Sequence, residues 1–212
     1  MTVEAKICGI TSADAVTAAT EGGARFVGFV FYEPSPRNLT LAAARGLAAV
    51  VPSSIRKVGL FVDAVDTAIA QVLAEVPLDV LQLHGEEPPE RIAAIRKQFG
   101  LPVMKAIRIG VKSDVAKAAS YLEVADRLLF DAKGPAGGLP GGTGQAFDWK
   151  WLSSYDGSLP WMLSGGLNAS NVKEAVRQSG ARAVDVSSGV EDKPGHKDPG
   201  RIAEFLSAVA DL

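Results

Sequence analysis

The chain has 212 residues, of which 47% are hydrophobic and 22% charged, with a formal net charge of −2. That is an ordinary globular composition, long enough for one core and short for two α/β domains. The near-neutral balance excludes broad electrostatic capture of nucleic acid or anionic membrane, and leaves room for a local pocket that takes a small anion. Cys8 is the single cysteine, so no intramolecular disulfide can form, as suits a reducing cytoplasm. The opening Met1-Thr2-Val3-Glu4 lacks a basic region followed by an apolar stretch, and no apolar run approaches the ~18 residues of a membrane helix. The expectation is a cytoplasmic protein with no nucleic-acid or membrane partner, present as a monomer or homodimer.

In chain order, apolar runs rich in Val, Ile, Leu and Phe predict strands over 5–8, 26–31, 57–62, 80–83, 103–107, 127–131, 161–164 and 183–187. Continuous apolar runs of this kind suit strands buried on both faces of a parallel sheet. Amphipathic stretches between them predict helices over 13–21, 41–50, 64–75, 89–99, 114–124, 148–155, 170–179 and 199–210. Asp114, Ser170 and Asp198 stand where N-caps belong, and Gly22, Gly100 and Gly180 stand just past helix ends. Eight β-then-α units in 212 residues leave about 26 for each. Such units close most economically into an α/β single-domain (β/α)8 TIM barrel spanning 1–212. An open doubly wound sheet competes, but it calls for a G-x-G-x-x-G turn after its first strand, where this chain has Cys8-Gly9-Ile10-Thr11. The glycine-dense segment 133–144 reads as a functional loop within one unit.

Barrel chemistry gathers at the C-terminal ends of strands. There the chain offers Cys8, Arg37 (in the loop after the second strand), His84, Asp131, Ser164-Gly165-Gly166, Asp185 and Ser188-Gly189. Small residues let backbone N–H groups approach a phosphate closely, and loops seven and eight of a barrel often do so. Gly165, Gly166, Ser188 and Gly189 fit that reading, with Gly144 able to add an N–H. Cys8 and Asp131 suggest a proton-transfer pair. A modest downward shift from a reference pKa of about 8.5 would make the thiol a useful base. Asp131 would act as the acid if burial or a neighbouring anion kept it protonated. Each residue also has a plainer reading: Cys8 as a small buried hydrophobe, Asp131 as a partner of Lys133 or a turn cap, Arg37 as a solvated loop arginine. The two histidines, His84 and His196, have no metal-ligand spacing around them, so no metal is expected.

Taken together these motifs resemble the phosphoribosylanthranilate isomerases. The resemblance runs from Lys6-Ile7-Cys8-Gly9-Ile10-Thr11 through Gly28-Phe29-Val30-Phe31, Ser35-Pro36-Arg37, Leu81-Gln82-Leu83-His84-Gly85 and Leu129-Phe130-Asp131. It continues through Gly141-Gly142-Thr143-Gly144 and Leu163-Ser164-Gly165-Gly166-Leu167 to Val184-Asp185-Val186-Ser187-Ser188-Gly189-Val190-Glu191 with Lys197-Asp198. The segment 134–140 is long for that family. The resemblance implies a cofactor-free Amadori rearrangement of a phosphorylated small molecule, with Cys8 as general base and Asp131 as general acid. It implies further that Arg37 holds the anthranilate carboxylate, and that Gly166, Ser188 and Gly189 hold phosphate near Gly144. Asp185 would meet a ribose hydroxyl and His84 would line the cleft. A related histidine-pathway isomerase barrel competes, but it has an aspartate where this chain has Cys8. A non-catalytic sugar-phosphate barrel competes too, and predicts loss of an acid or base that is present here.

Overall fold

The computed structural model describes residues 2–134, 141, 142, 144, 146–153 and 155–212. Eight parallel strands form one closed barrel in sequential order: β1 (Glu4–Cys8), β2 (Phe26–Phe31), β3 (Arg56–Phe61), β4 (Val80–Leu83), β5 (Val103–Ile109), β6 (Arg127–Ala132), β7 (Trp161–Leu163) and β8 (Ala183–Val186). Closure comes from β1 on β8, where Lys6 pairs with Asp185. Helices α1 (Ala13–Glu21), α2 (Leu41–Val50), α3 (Asp66–Glu75), α4 (Pro89–Phe99) and α5 (Val172–Ser179) connect successive strands, and α6 (Pro199–Ala210) follows β8. Among the described helices none is long and apolar enough to cross a membrane.

Two cores explain why the strands read as continuous apolar runs. Outward residues such as Ile7, Val27, Phe29, Leu81 and Phe130 pack against the helices in a large shell. Inward residues Phe26, Val58, Val80, Met104, Leu129 and Met162 fill the lower barrel in a separate cluster. One layer higher the inward positions turn polar: Lys6, Gln82, Asp131, Ser164 and Asp185 are all buried. Successive strand residues face opposite sides, so a polar residue two places beyond an inward apolar one marks the barrel mouth.

Most elements match the sequence within a residue or two, and the departures have local causes. Helix 114–124 is a 3₁₀ helix, Lys112–Tyr121. Asp114 does not precede it; its carboxylate turns back inside the first turn to accept from the backbone N–H groups of Gly110 and Val111, at 2.8 and 3.0 Å. Helix 148–155 shortens to a 3₁₀ turn, Trp149–Leu152, capped by Asp148. Helix 170–179 starts two residues late, because Asn168 Oδ1 collects the N–H groups of Ser170 and Asn171 in a turn. Asp198 is an N-cap as expected, accepting from the Arg201 N–H at 2.8 Å. After β8 the chain adds a short antiparallel hairpin, β9 (Glu191–Lys193) and β10 (His196–Lys197), that alternation over so few residues does not reveal. Of the loop 133–144, residues 135–140 and Thr143 lie outside the described residues, so the expected length and role of that loop are not addressed by the fold.

Candidate active site

A cavity of about 500 Å³ opens at the C-terminal mouth, lined among others by Cys8, Arg37, His84, Asp131, Ser164 and Asp185. A second, of about 280 Å³, adjoins it and is lined by Gly144, Gly165, Gly166, Ser187 and Ser188, sharing Asp131, Ser164 and Asp185 with the first. Nine of the ten sequence-predicted site residues therefore border one continuous space. Gly189 is the exception: it lies in a 3₁₀ turn, Ser188–Val190, with its α-carbon packed on the Leu167 carbonyl.

Cys8 ends β1 with its thiol buried against Val30 and Leu60. A Cβ built on Gly28 would lie 3.1 Å from Cys8 Sγ and 3.2 Å from Lys6 Nζ, so thiol and ammonium share the space that glycine leaves. Burial pushes the Cys8 thiol up, and the positive charge of Lys6 opposes that push without cancelling it. The shift is thus upward, opposite to the one that would by itself make the thiol a ready base: apolar neighbours on β2 and β3 withhold the solvation a thiolate needs. Lys6 itself is fully buried. Burial disfavours its charge, but Asp185 at 2.8 Å and Cys8 outweigh that and hold it well above the usual lysine range.

Asp185 gives one oxygen to Lys6 and the other to the Ser164 hydroxyl, at 3.1 Å. Asp131, at the end of β6, makes no bond to Lys133 and caps no turn among the described residues. Its Oδ1 accepts from the Ala132 N–H at 2.9 Å, and its Oδ2 meets His84 Nε2 at 3.1 Å. His84 is held from behind by Gln82 Nε2, 2.9 Å from Nδ1.

Arg37 is not a solvated loop arginine. It is buried and forked onto Glu191, Nε to Oε1 at 2.7 Å and a terminal nitrogen to Oε2 at 2.8 Å. Lys197 also donates to Glu191 Oε1 and reaches the Ser187 carbonyl at 3.2 Å. Burial alone would raise the Glu191 carboxyl, but the bonds from Arg37 and the charge of Lys197 hold it below the usual carboxylate range. Burial pulls Lys197 below the usual lysine range, against the attraction of Glu191. Two cations against one carboxylate leave an excess positive charge beside the cavity. With Nε and one terminal nitrogen on Glu191, and that same nitrogen also donating to the Gly142 carbonyl at 3.3 Å, Arg37 keeps its other terminal nitrogen uncommitted among the described residues.

The second cavity is a backbone cradle. The N–H groups of Gly165, Gly166 and Ser188, which line it, make no hydrogen bond among the described residues, and neither does that of Gly189, next in the chain but outside the lining. Gly165 has φ +91°, and a Cβ there would lie 2.6 Å from the Ala132 nitrogen, so only glycine fits. Such a nest of uncommitted donors suits an oxyanion. Among the described residues no group of three or more His, Cys, Asp or Glu is placed to hold a metal ion.

Sequence reasoning named the cavity-facing residues and missed what holds them: Lys6, Gln82, Glu191 and Lys197. The available signal was parity. Lys6 precedes Cys8 by two places and Gln82 precedes His84 by two, so each enters the barrel on the same side as its neighbour, and a buried charge requires a partner.

Fold and mouth together define a (β/α)8 barrel enzyme with ionisable groups facing one cavity beside an anion cradle. A family model described as N-(5'phosphoribosyl)anthranilate (PRA) isomerase matches residues 5–208. The N-(5'-phosphoribosyl)anthranilate isomerase of Rhodospirillum centenum is 56% identical over 214 residues, covering 100% of each chain. A solved phosphoribosyl anthranilate isomerase in complex with reduced 1-(o-carboxyphenylamino)-1-deoxyribulose 5-phosphate superposes with a TM-score of 0.87 at 36% identity, over 99% of this chain and 100% of that one. Monomers of the dimeric enzyme of Thermotoga maritima superpose with a TM-score of 0.86 at 37% identity, over 99% and 100% of the two chains. The chain belongs to the N-(5'-phosphoribosyl)anthranilate isomerase family, and is an isomerase of tryptophan biosynthesis.

Proposed function

We propose that residues 1–212, acting as one cytoplasmic catalytic domain, carry out the Amadori rearrangement of N-(5-phosphoribosyl)anthranilate to 1-(2-carboxyphenylamino)-1-deoxyribulose 5-phosphate, without cofactor or metal. The observation that carries this reading is that Cys8 and Asp131 line one cavity that runs into the glycine cradle. Asp131 gives a proton to the ribose ring oxygen, the C1–O bond breaks, and the anthranilate nitrogen lone pair forms the C1=N bond of a Schiff base. Cys8, as thiolate, removes the proton from sugar C2. The C2–H electrons become a C1=C2 bond and the C=N pair returns to nitrogen, giving an enolamine. Gain of a proton at C1 and loss of one from the C2 hydroxyl complete the ketone. Lys6 supplies the charge that favours the thiolate against its burial.

Phosphate sits on the N–H groups of Gly165, Gly166, Ser188 and Gly189, with Gly144 at the rim. The other terminal nitrogen of Arg37 meets the anthranilate carboxylate, aided by the excess positive charge of the Arg37–Glu191–Lys197 group. Asp185 retains acceptor capacity for a ribose hydroxyl beyond its bonds to Lys6 and Ser164. His84 lines the cavity wall next to Asp131. The protein works as a monomer or homodimer; the Thermotoga maritima relative is dimeric and has also been obtained as monomers. The test is turnover by the purified chain, followed through the fluorescence of freshly made anthranilate substrate. Binding of the reduced product analogue with no turnover would mark a sugar-phosphate binder and overturn the reading.

A further inference from the structure

Gln82 and His84 lie two residues apart, Gln82 within β4 and His84 just past its end, so both side chains enter the barrel on one side. Gln82 is fully buried, and its Oε1 has no hydrogen-bond partner in the described structure. A buried amide is costly unless engaged, and its one described tie is Nε2 to His84 Nδ1 at 2.9 Å. With the amide nitrogen facing the ring, Nδ1 accepts, which assigns the hydrogen of the neutral tautomer to Nε2. Nε2 then donates to Asp131 Oδ2 at 3.1 Å. The Ala132 N–H fills an acceptor position on Oδ1 at 2.9 Å. A Cβ on Gly141 would lie 2.9 Å from Oδ2 and 3.0 Å from Nε2, so the glycine backbone packs over that contact. Each Asp131 oxygen therefore has one acceptor position occupied from inside the protein, and its remaining capacity faces the cavities it lines.

We propose that Gln82 is a positioning residue that aims the acid. By donating to Nδ1 it fixes His84 as a donor toward Asp131, and so keeps the proton that Asp131 transfers on the cavity side of the carboxyl. In the opposite tautomer Nε2 is bare and takes the Asp131 proton itself, turning it away from the sugar ring oxygen. The proposal rests on the reading of Asp131 as general acid.

The test is nitrogen NMR of the His84 ring in the full chain near pH 7, with His196→Asn removing the only other histidine signal. In the wild-type chain the ring hydrogen is expected on Nε2. Gln82→Glu keeps the shape and replaces the donor with an acceptor, so a hydrogen moves to Nδ1. Its kcat should fall about 10- to 100-fold, the size of one buried hydrogen bond lost, with KM within about threefold. Gln82→Met, which removes the donor without supplying an acceptor, should give mixed tautomers and a smaller fall. A folded Gln82→Glu protein with wild-type kcat overturns the proposal, as does a wild-type His84 carrying its hydrogen on Nδ1, whatever the variants do. Asp131→Asn measured alongside separates the two claims. If it is slow while Gln82→Glu is not, only the role of Gln82 fails; if Asp131→Asn keeps wild-type kcat, the acid reading fails and takes this proposal with it.

Discussion

Glu191→Gln tests the clamp on which the proposed recognition of substrate depends. In the native site this carboxylate holds Arg37 at 2.7 and 2.8 Å and also takes a bond from Lys197. All three side chains are buried, so the amide leaves two cations close together with no counter-charge. Breaking a buried ion pair from one side costs about 3–5 kcal/mol. For a chain of this size each kcal/mol moves Tm by about 2–4 °C, so thermal unfolding should fall by about 6–20 °C. In the proposed complex Arg37 reaches substrate with one nitrogen while Glu191 fixes its plane. Loss of that fixing should raise KM about tenfold, near 1.4 kcal/mol, and leave kcat within about threefold. Calorimetry and steady-state kinetics on one preparation read both effects. Adding Arg37→Ala to Glu191→Gln should raise KM no further than Arg37→Ala alone, since the two residues act as one unit. A Tm within 2 °C of wild type, as an approximate threshold below one kcal/mol, together with an unchanged KM would refute the argument.

Cys8→Ala should fold and lose about 10²–10⁴ in kcat, the usual worth of a positioned base, and near-normal turnover would show that the base lies elsewhere. Because burial raises the Cys8 thiol, kcat/KM of the free enzyme should still be climbing at about pH 8.5, the reference thiol value; a plateau reached by pH 7 in rate measurements would contradict a thiolate base. Glu191 and Glu87 titrate lower folded than unfolded. Their stabilisation is therefore full above about pH 4.3 and lost as pH falls through their folded values, which acid-unfolding curves of Glu87→Gln should show as a shallower decline. Activity should survive prolonged chelation and desalting; restoration by one divalent ion after its loss would defeat the metal-free reading.

Much of the barrel was legible because its strands are buried on both faces and its turns carry strong signals. Gly100 and Gly180, at φ +66° and +74°, end their helices where the sequence put glycine. The weak places were those where side-chain bonds outvote apolar period. Asp114 tightens a helix into 3₁₀ geometry, and Asn168 delays α5 by capturing two N–H groups. In the site, a linear motif shows which residues reach the mouth but not which pair across it. Arg37 and Glu191 are separated by 154 positions and Lys6 and Asp185 by 179. Such pairings depend on barrel closure, which brings β1 onto β8 and the last hairpin under the second loop.

Closure also explains how so polar a mouth can be stable. Lys6 is tied to Asp185, Arg37 and Lys197 to Glu191, and Lys105 to Glu87 at 2.7 Å. Each of these buried charges already has a partner, so an arriving anion does not have to neutralise a bare ion. What is left to meet it in the proposed complex are donors uncommitted among the described residues: backbone N–H groups of the cradle and one nitrogen of Arg37. Donors held by neighbours lose little freedom on binding and need no reorganisation as charge shifts during reaction. In the proposed complex selectivity then lies in spacing, because the cradle lines one cavity and Arg37 the adjoining one. A ligand with phosphate at one end and carboxylate at the other satisfies both; one with either group alone leaves half of the donors facing water, and should bind more weakly by the value of those contacts.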